Sequence, residues 1–236
     1  MVVCIIHDIG VRDMMKSILE KCPVVPVVVL DDASKAVPVA RALVAGGITV
    51  IEVTMRTDAA ADAVSAISEQ VPEILVGAGT VLNAEQAETI VSAGAKFIVS
   101  PGLLESVVTA GRGMSIPVIP GVATATEALQ AWNLGLRILK LFPVSAAGGV
   151  SLIKELSSVF RDVQFMLTGG ISTANLKGYL SPPSVLACGG IWLTPAETIS
   201  NDDFEEITRL ASEAMTIAKE VKVNGCQNFY PDPNNP

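Results

Sequence analysis

The sequence predicts a single (β/α)8 (TIM) barrel, an α/β fold, with an extra helix at its amino-terminal end. Short runs rich in β-branched residues alternate with alanine-rich helical patterns. Eight such units follow one another within roughly 200 residues, which is enough to close a sheet of parallel strands into a barrel. The length of 236 residues suits one barrel domain.

Each strand candidate is a short apolar run followed by a helical pattern. The predicted strands are Val24–Val29, Thr49–Thr54, Ile74–Thr80, Phe97–Ser100, Val118–Gly121, Ile138–Phe142, Gln164–Thr168 and Val185–Cys188. The predicted helices are Ser34–Ala45, Ala59–Gln70, Ala84–Ala93, Glu105–Arg112, Thr126–Asn133, Val150–Phe160, Ala174–Tyr179 and Asp203–Val221. An open doubly wound sheet is the alternative architecture. It is disfavoured because no GxGxxG motif follows the first strand and because the even spacing of the units favours closure.

The two chain ends lie outside the repeated units. An amphipathic pattern over Asp8–Lys21 predicts the extra helix, placed against the floor of the barrel. The segment Asn224–Pro236 is rich in proline and asparagine, which predicts a flexible tail. Because no linker is evident between these ends, we expect one barrel domain over residues 1–223.

The charge and hydropathy of the chain limit its partners. Sixteen basic and 24 acidic residues give a formal charge of −8, which argues against nucleic acid and anionic membrane as partners. No apolar run reaches the roughly 20 residues needed to cross a bilayer. The apolar start follows no basic region, so it does not resemble a signal peptide. We therefore expect a cytoplasmic protein that acts on a small molecule.

Cysteine and histidine usage limits the chemistry. The four cysteines, Cys4, Cys22, Cys188 and Cys226, show no CxxC spacing and are expected to be reduced thiols. The single histidine, His7, excludes a histidine-based triad and a multi-histidine metal site. We expect neither a metal nor another cofactor, and chemistry that relies on carboxylates, lysine, hydroxyls or backbone groups.

A lysine, Lys140, interrupts the sixth predicted strand, Ile138–Phe142. Because alternate side chains of a strand face opposite sides, Lys140 should project into the barrel near the carboxyl end of the strand, where barrel active sites lie. Burial favours the neutral amine, which is the form that attacks a carbonyl carbon. The alternative is a structural lysine in a buried ion pair.

A carboxylate, Glu52, interrupts the β-branched second strand, Thr49–Thr54. Buried parallel strands are normally apolar throughout, so a carboxylate here needs a partner or a task. If Glu52 lies beside Lys140, it can relay protons to and from the chemistry at the amine. The alternative is a buried Glu–Lys or Glu–Arg pair that carries out no chemistry.

Two glycine pairs follow the seventh and eighth predicted strands: Gly169-Gly170 and Gly189-Gly190. Backbone N–H groups at such turns can approach an anion, and barrels commonly bind phosphate at this edge. A tight turn without a ligand is the alternative for either pair alone. Thr80 adds an inward hydroxyl at the end of the third strand.

Several segments occur together in an order typical of one family. They are Glu52–Thr57, Gly77–Asn83, Ser100–Gly102, Pro120-Gly121 with Glu127 beyond, Lys140–Pro143, Thr168–Ser172 and Gly189–Leu193. Together they resemble the 2-keto-3-deoxy-6-phosphogluconate (KDPG) / 4-hydroxy-2-oxoglutarate (KHG) aldolase family, from about Ser17 to Lys219. The resemblance implies a barrel, usually a homotrimer, that works without metal. It also implies cleavage of the substrate to pyruvate plus glyceraldehyde 3-phosphate or glyoxylate.

The resemblance further implies a role for each matching position. Lys140 would be the lysine that forms the Schiff base, and Glu52 the general acid/base. The residues implied to surround the pyruvyl end and the imine are Arg56, Thr80, Pro101 and Phe142. Those implied to line the distal end, where a phosphate would sit, are Thr168, Gly169, Gly170, Gly189 and Gly190.

Two positions depart from the family pattern. Ile191 stands where the family typically carries a serine that helps to bind phosphate, and Leu167 stands where a proline is common. Losing a hydrogen bond to a charged group weakens binding by roughly tenfold to a hundredfold. We therefore expect intact imine chemistry and weaker use of the phosphorylated substrate.

The resulting prediction is a class I aldolase, a carbon–carbon lyase that acts on a 2-keto acid. One alternative is a related sugar-phosphate barrel, such as an isomerase, in which Lys140 only binds an anion. The other is a barrel that binds a sugar acid and has lost catalysis. The presence of both Lys140 and Glu52 disfavours this last alternative.

Overall fold

Parallel strands form the barrel wall, as seen in a computed structural model that describes residues 2–227, with the side chains of residues 10 and 12–221. The strands are β1 Val24–Val28, β2 Val50–Thr54, β3 Leu75–Gly79, β4 Ile98–Val99, β5 Val118–Ile119, β6 Gly121–Val122, β7 Ile138–Leu141, β8 Gln164–Thr168 and β9 Val185–Gly190. Their order across the sheet is β5-β4-β3-β2-β1-β9-β8-β7-β6. All of the strand pairs are parallel.

Pro120 divides the fifth strand of the barrel into β5 and β6. Proline has no backbone N–H and therefore interrupts the ladder. The flanking carbonyls remain in use: Ile119 O accepts from Ser100 N at 3.4 Å, and Pro120 O accepts from Lys140 N at 2.8 Å. Since β5 pairs with β4 and β6 with β7, this one strand joins the two edges of the sheet. The predicted (β/α)8 barrel is confirmed, and the open sheet is wrong.

Helices cover the barrel wall and its floor. They are α1 Val2–Lys21, α2 Ala36–Ala45, α3 Ala60–Gln70, α4 Ala84–Ser92, α5 Glu105–Gly113, α6 Ala125–Asn133, α7 Val144–Ala147, α8 Gly149–Val159, α9 Thr173–Leu180, α10 Ala196–Ser200 and α11 Phe204–Gln227. Short 3-10 turns occupy Ala33–Lys35 and Ile191–Leu193. The sequence did not predict α7 and α10, because four or five residues are too few to show a helical period.

Both chain ends differ from the predicted boundaries. The amino-terminal helix begins at Val2 rather than at Asp8. Helix α11 continues through Gln227, into the segment expected to be a flexible tail. The rest of that segment, residues 228–236, lies outside the described residues. Within the described part of the chain, no helix combines the length and apolarity needed to cross a bilayer.

The core is made of aliphatic side chains with few aromatic rings. Every position of β1 and β2 is buried, as expected for parallel strands covered on both faces. Among the described side chains, the buried polar residues are Glu52, Thr54, Ser100, Lys140, Thr168 and Thr194. Most of them lie in or just beyond the carboxyl-terminal halves of barrel strands. A buried polar group is costly unless it is paired, so this edge of the barrel is where function is expected.

Candidate active site

The barrel interior brings Lys140 and Glu52 together, although they lie 88 residues apart in the chain. Lys140 projects from β7 and Glu52 from β2, and Lys140 Nζ lies 3.2 Å from Glu52 Oε1. The exposed fraction is 6% for Lys140 and 0% for Glu52. A direct contact of this length between a buried amine and a buried carboxylate gives a proton a route between them.

The carboxylate of Glu52 is only half satisfied. Its Oε1 accepts from Lys140, whereas its Oε2 is buried and has no hydrogen-bond partner among the described residues. An unsatisfied buried acceptor costs about 1–3 kcal/mol, and more when it is charged. The second oxygen is therefore available to a hydroxyl or water that enters the barrel, as a general acid/base requires.

Strand β3 leaves room for this carboxylate because its inner positions are glycines. A Cβ on Gly79 would lie 2.0 Å from Glu52 Oε1, and a Cβ on Gly77 would lie 2.4 Å from the ring of Phe97. Phe97 is fully buried, and Gly77 pairs with Glu52 in the strand register. The space beside β3 is thus filled by the Glu52 carboxylate and, next to it, by an aromatic ring.

An aromatic ring also lies close to the amine. The ring centroid of Phe142, directly after β7, is 5.3 Å from Lys140 Nζ. A cation at this distance from a ring face is attracted by its quadrupole. The ring can therefore stabilise a positive charge on the nitrogen, whether as an ammonium or as an iminium.

The residues expected at the pyruvyl end lie around the rim of the barrel. Thr80 directly follows β3 with a φ of 59°, a left-handed conformation that costs a β-branched residue about 1–3 kcal/mol. Pro101 follows β4, and a Cβ on Gly121 would lie 2.1 Å from its carbonyl oxygen, so this turn packs closely on β6. Arg56, two residues beyond β2, is exposed and makes no hydrogen bond or ion pair with the described residues.

Thr168 and the two glycine pairs lie side by side on β8 and β9. Thr168 pairs with Gly189 in the register, and its buried hydroxyl has no partner among the described residues. Gly169 and Gly170 form a turn with φ values of 97° and 79°.

The second glycine pair corrects the sequence prediction. Gly189 and Gly190 do not form a turn; they continue β9, which the sequence prediction ended at Cys188. Glycine is needed there for close packing, because a Cβ on Gly189 would lie 2.8 Å from Val25 O and one on Gly190 2.4 Å from the ring of Trp192. The turn after β9 begins at Ile191.

Two other kinds of chemistry, by a cysteine thiol and by a bound metal ion, find no support among the described residues. Burial raises the pKa of the Cys188 thiol far above its usual value, so this cysteine is inert. Within the described part of the chain, no three His, Cys, Asp or Glu side chains lie close enough together to hold a metal ion.

The comparison with known proteins is decisive at the level of the family. Residues 15–210 match the model of the family described as KDPG and KHG aldolase. The chain belongs to the KDPG and KHG aldolase family. The predicted family, the aldolase activity and its class, a carbon–carbon lyase, are confirmed.

Curated and solved relatives of this aldolase agree with that assignment. The KHG/KDPG aldolase of Escherichia coli K12 is 48% identical over 204 residues, which cover 86% of this chain and 96% of the relative. A crystal structure of KDPG aldolase from Legionella pneumophila, with pyruvate captured at low pH as a covalent carbinolamine intermediate, has a TM-score of 0.82 and 41% identity. It covers 84% of this chain and 97% of its own.

A second solved relative was determined with a phosphorylated compound. The 2-keto-3-deoxy-6-phosphogluconate aldolase of Zymomonas mobilis ZM4, with 3-phosphoglycerate, has a TM-score of 0.81 and 42% identity. The match covers 86% of this chain and 95% of that structure.

Sequence reasoning did not single out two glycines of β3 that shape this aldolase's candidate site. Gly77 and Gly79 lie within the segment that carried the resemblance, yet only Thr80 was given a role there. A glycine inside a strand signals that something approaches the backbone closely, which in this case is Phe97 and Glu52. The identity of the approaching group could not be read from the sequence.

Proposed function

We propose that this chain cleaves KDPG, KHG or both through a Schiff base on Lys140, with Glu52 moving the protons. The products are pyruvate and either glyceraldehyde 3-phosphate or glyoxylate. The observation that carries the assignment of these two residues is the 3.2 Å contact between Lys140 Nζ and Glu52 Oε1 inside the closed barrel. The Legionella relative, captured with pyruvate as a covalent carbinolamine, supports amine chemistry of this kind.

The reaction begins at the carbonyl carbon C2 of the substrate. The neutral amine of Lys140 attacks C2 and forms a carbinolamine, whose hydroxyl leaves as water after Glu52 supplies a proton. The product is a cationic iminium, and the ring of Phe142, 5.3 Å from the nitrogen, stabilises its charge.

The iminium then accepts the electrons of the bond that breaks. Glu52 removes the proton of the C4 hydroxyl, the C3–C4 bond breaks, and its electron pair moves to the nitrogen to give an enamine. The aldehyde leaves with the former C4 as its carbonyl carbon. Glu52 returns a proton to C3, and water hydrolyses the resulting iminium to pyruvate and free Lys140.

The rim residues orient the two ends of the substrate. Arg56, whose guanidinium has no partner among the described residues, binds the pyruvyl carboxylate together with Thr80, and Pro101 packs beside them. The distal phosphate lies against Thr168, Gly169, Gly170, Gly189 and Gly190. The unpartnered hydroxyl of Thr168 supports this placement. The Zymomonas relative, determined with 3-phosphoglycerate, supports a phosphorylated ligand.

The whole molecule is a cytoplasmic homotrimer in this proposal. Family resemblance suggests the trimer, and exposed apolar side chains on α6 and α8 offer a surface for it: Leu129, Trp132 and Val159. The acidic composition and the absence of CxxC spacing support the cytoplasmic location.

The experiment that tests the chemistry is borohydride reduction in the presence of pyruvate. A Schiff base on Lys140 is reduced to a stable secondary amine, so mass spectrometry should locate one pyruvate-derived adduct on the peptide that contains Lys140. The Lys140→Ala variant should form no adduct and have no retro-aldol turnover. Lys154→Ala, which removes an exposed lysine of α8, is the matched control. An unlabelled Lys140, or turnover without it, would refute the proposal.

A further inference from the structure

In the turn after β8, the carbonyl groups of Gly169 and Gly170 both accept hydrogen bonds from neighbouring helices. Gly169 O accepts from Ser145 N at 3.1 Å. Gly170 O accepts from Ser145 Oγ at 3.2 Å and from Asn175 Nδ2 at 2.9 Å. Ser145 belongs to α7 and Asn175 to the first turn of α9, so two elements hold one pair of glycines.

The N–H groups of the same peptides are free. In a trans peptide the N–H points opposite to the C=O, so the N–H groups of Gly170 and Ile171 point away from Ser145. Within residues 2–227, neither of these groups donates a hydrogen bond. Successive backbone donors that are not used within the fold form, in a turn, a concavity that binds anions.

The side chains of Ser145 and Asn175 make further contacts that fix their own positions. The Tyr179 hydroxyl lies 3.1 Å from Ser145 Oγ, and Asn175 Oδ1 accepts from Ser172 N at 2.9 Å in the capping box of α9. Ser145 also presses directly on the turn, because a Cβ on Gly170 would lie 2.3 Å from its Oγ. Side chains of α7 and α9 therefore fix the orientation of the turn.

We propose that Ser145, Asn175 and Tyr179 are positioning residues that keep the N–H groups of Gly170 and Ile171 directed at a terminal phosphate of the substrate. This inference deepens the proposed function and rests on it. It adds three side chains outside the turn to the distal end of the proposed site.

The placement of Ser145 also links the two ends of the site. Ser145 follows Lys140 by five residues on the connection that leaves β7. One short segment thus carries the amine that binds the keto carbon and the serine that orients the turn for the phosphate. A change at Ser145 should therefore weaken phosphate binding and leave the contact between Lys140 and Glu52 intact.

Kinetics of the Ser145→Ala variant test this role. Loss of one neutral hydrogen bond weakens an interaction by about two- to tenfold, so we expect KM for KDPG to rise by that factor while kcat stays within about twofold. Trapping of pyruvate with borohydride should be unchanged, because pyruvate lacks the distal end. Tyr179→Phe should shift KM in the same direction by a smaller factor. Ser181→Ala removes another exposed serine hydroxyl that donates to a carbonyl, at 2.7 Å, and should leave KM unchanged.

A direct measurement separates this inference from the aldolase chemistry. Titration of the wild-type protein with inorganic phosphate should shift the amide NMR signals of Gly170 and Ile171, and Ser145→Ala should weaken that binding. If phosphate shifts these signals but borohydride traps no pyruvate adduct, the positioning role stands and the proposed function is refuted. An unchanged KM and phosphate affinity in Ser145→Ala, or equal loss of phosphate binding and pyruvate trapping, would overturn the positioning role.

Discussion

At the scale of single residues, the proposed catalytic pair, Lys140 and Glu52, depends on the absence of a side chain at Gly79. Glu52 occupies the space in which a Cβ on Gly79 would lie, 2.0 Å from its Oε1. The sequence predicted Lys140 and Glu52, because charged residues inside apolar strands are rare. It did not predict that Gly79 makes room for the Glu52 carboxylate. A glycine in a strand indicates that space is needed, but it does not indicate which group fills that space.

A Gly79→Ala variant should lose activity while keeping the fold. The added methyl group must displace the Glu52 carboxylate and lengthen its 3.2 Å contact with Lys140. We expect kcat for retro-aldol cleavage to fall by at least about tenfold, which corresponds to about 1.4 kcal/mol of barrier. Overpacking should lower stability by about 1–3 kcal/mol, seen as a lower Tm.

The control for this variant is Gly178→Ala in α9. Nothing lies within 4 Å of a Cβ at Gly178, so activity should be unchanged and stability should be equal or slightly higher. A Gly79→Ala protein with wild-type kcat would show that the carboxylate does not need this space.

At the scale of elements, the strands were predicted better than the connections. All eight predicted strands occur, because burial on both faces leaves continuous apolar runs. The short helix α7, which carries Ser145, was missed because four residues show no period. The end of β9 was placed too early because glycine usually ends a strand, whereas Gly190 continues it beneath the ring of Trp192.

The turn after β9 gives a prediction about substrate preference. Ile191 begins this turn and is 62% exposed, so replacing it with serine should change stability little. A serine hydroxyl there can donate to the distal phosphate, and a hydrogen bond to a charged group strengthens binding by roughly tenfold to a hundredfold. We expect Ile191→Ser to raise kcat/KM for KDPG by up to that factor. Met14→Ser, at an exposed methionine of α1, is the control, and an unchanged kcat/KM in Ile191→Ser would contradict the prediction.

At the scale of the whole molecule, closure of the barrel was predicted from the number of units, but the interruption of the fifth strand was not. The sequence prediction gave this strand as one continuous run, Val118–Gly121. Pro120 marks the interruption in hindsight, because a proline inside a strand has no N–H to pair. The Lys140–Glu52 contact depends on this closure, since β2 and β7 meet only across the interior of a complete ring.

The proposed trimer is tested by molecular mass in solution. Leu129 and Trp132 lie one turn apart on α6. Trp132 Nε1 donates to Asp162 Oδ1 at 2.9 Å, so this face of α6 lies near the end of α8. The last residue of α8, Val159, is 71% exposed. Light scattering should give a mass three times that of the 24.5 kDa chain. Leu129→Glu with Val159→Glu should reduce this mass, whereas Met14→Glu should not. A wild-type monomer would contradict the trimer.

The bare inner side of β3 limits how this protein can be changed to accept new substrates. Engineers usually enlarge a pocket by trimming side chains, but Gly77 and Gly79 leave nothing to trim on this wall. Room for a bulkier aldehyde has to come from other strands or from the rim, where the replaced residues are also the ones proposed to orient the substrate. Variation that broadens the acceptor range should therefore collect on the loops and spare the third strand.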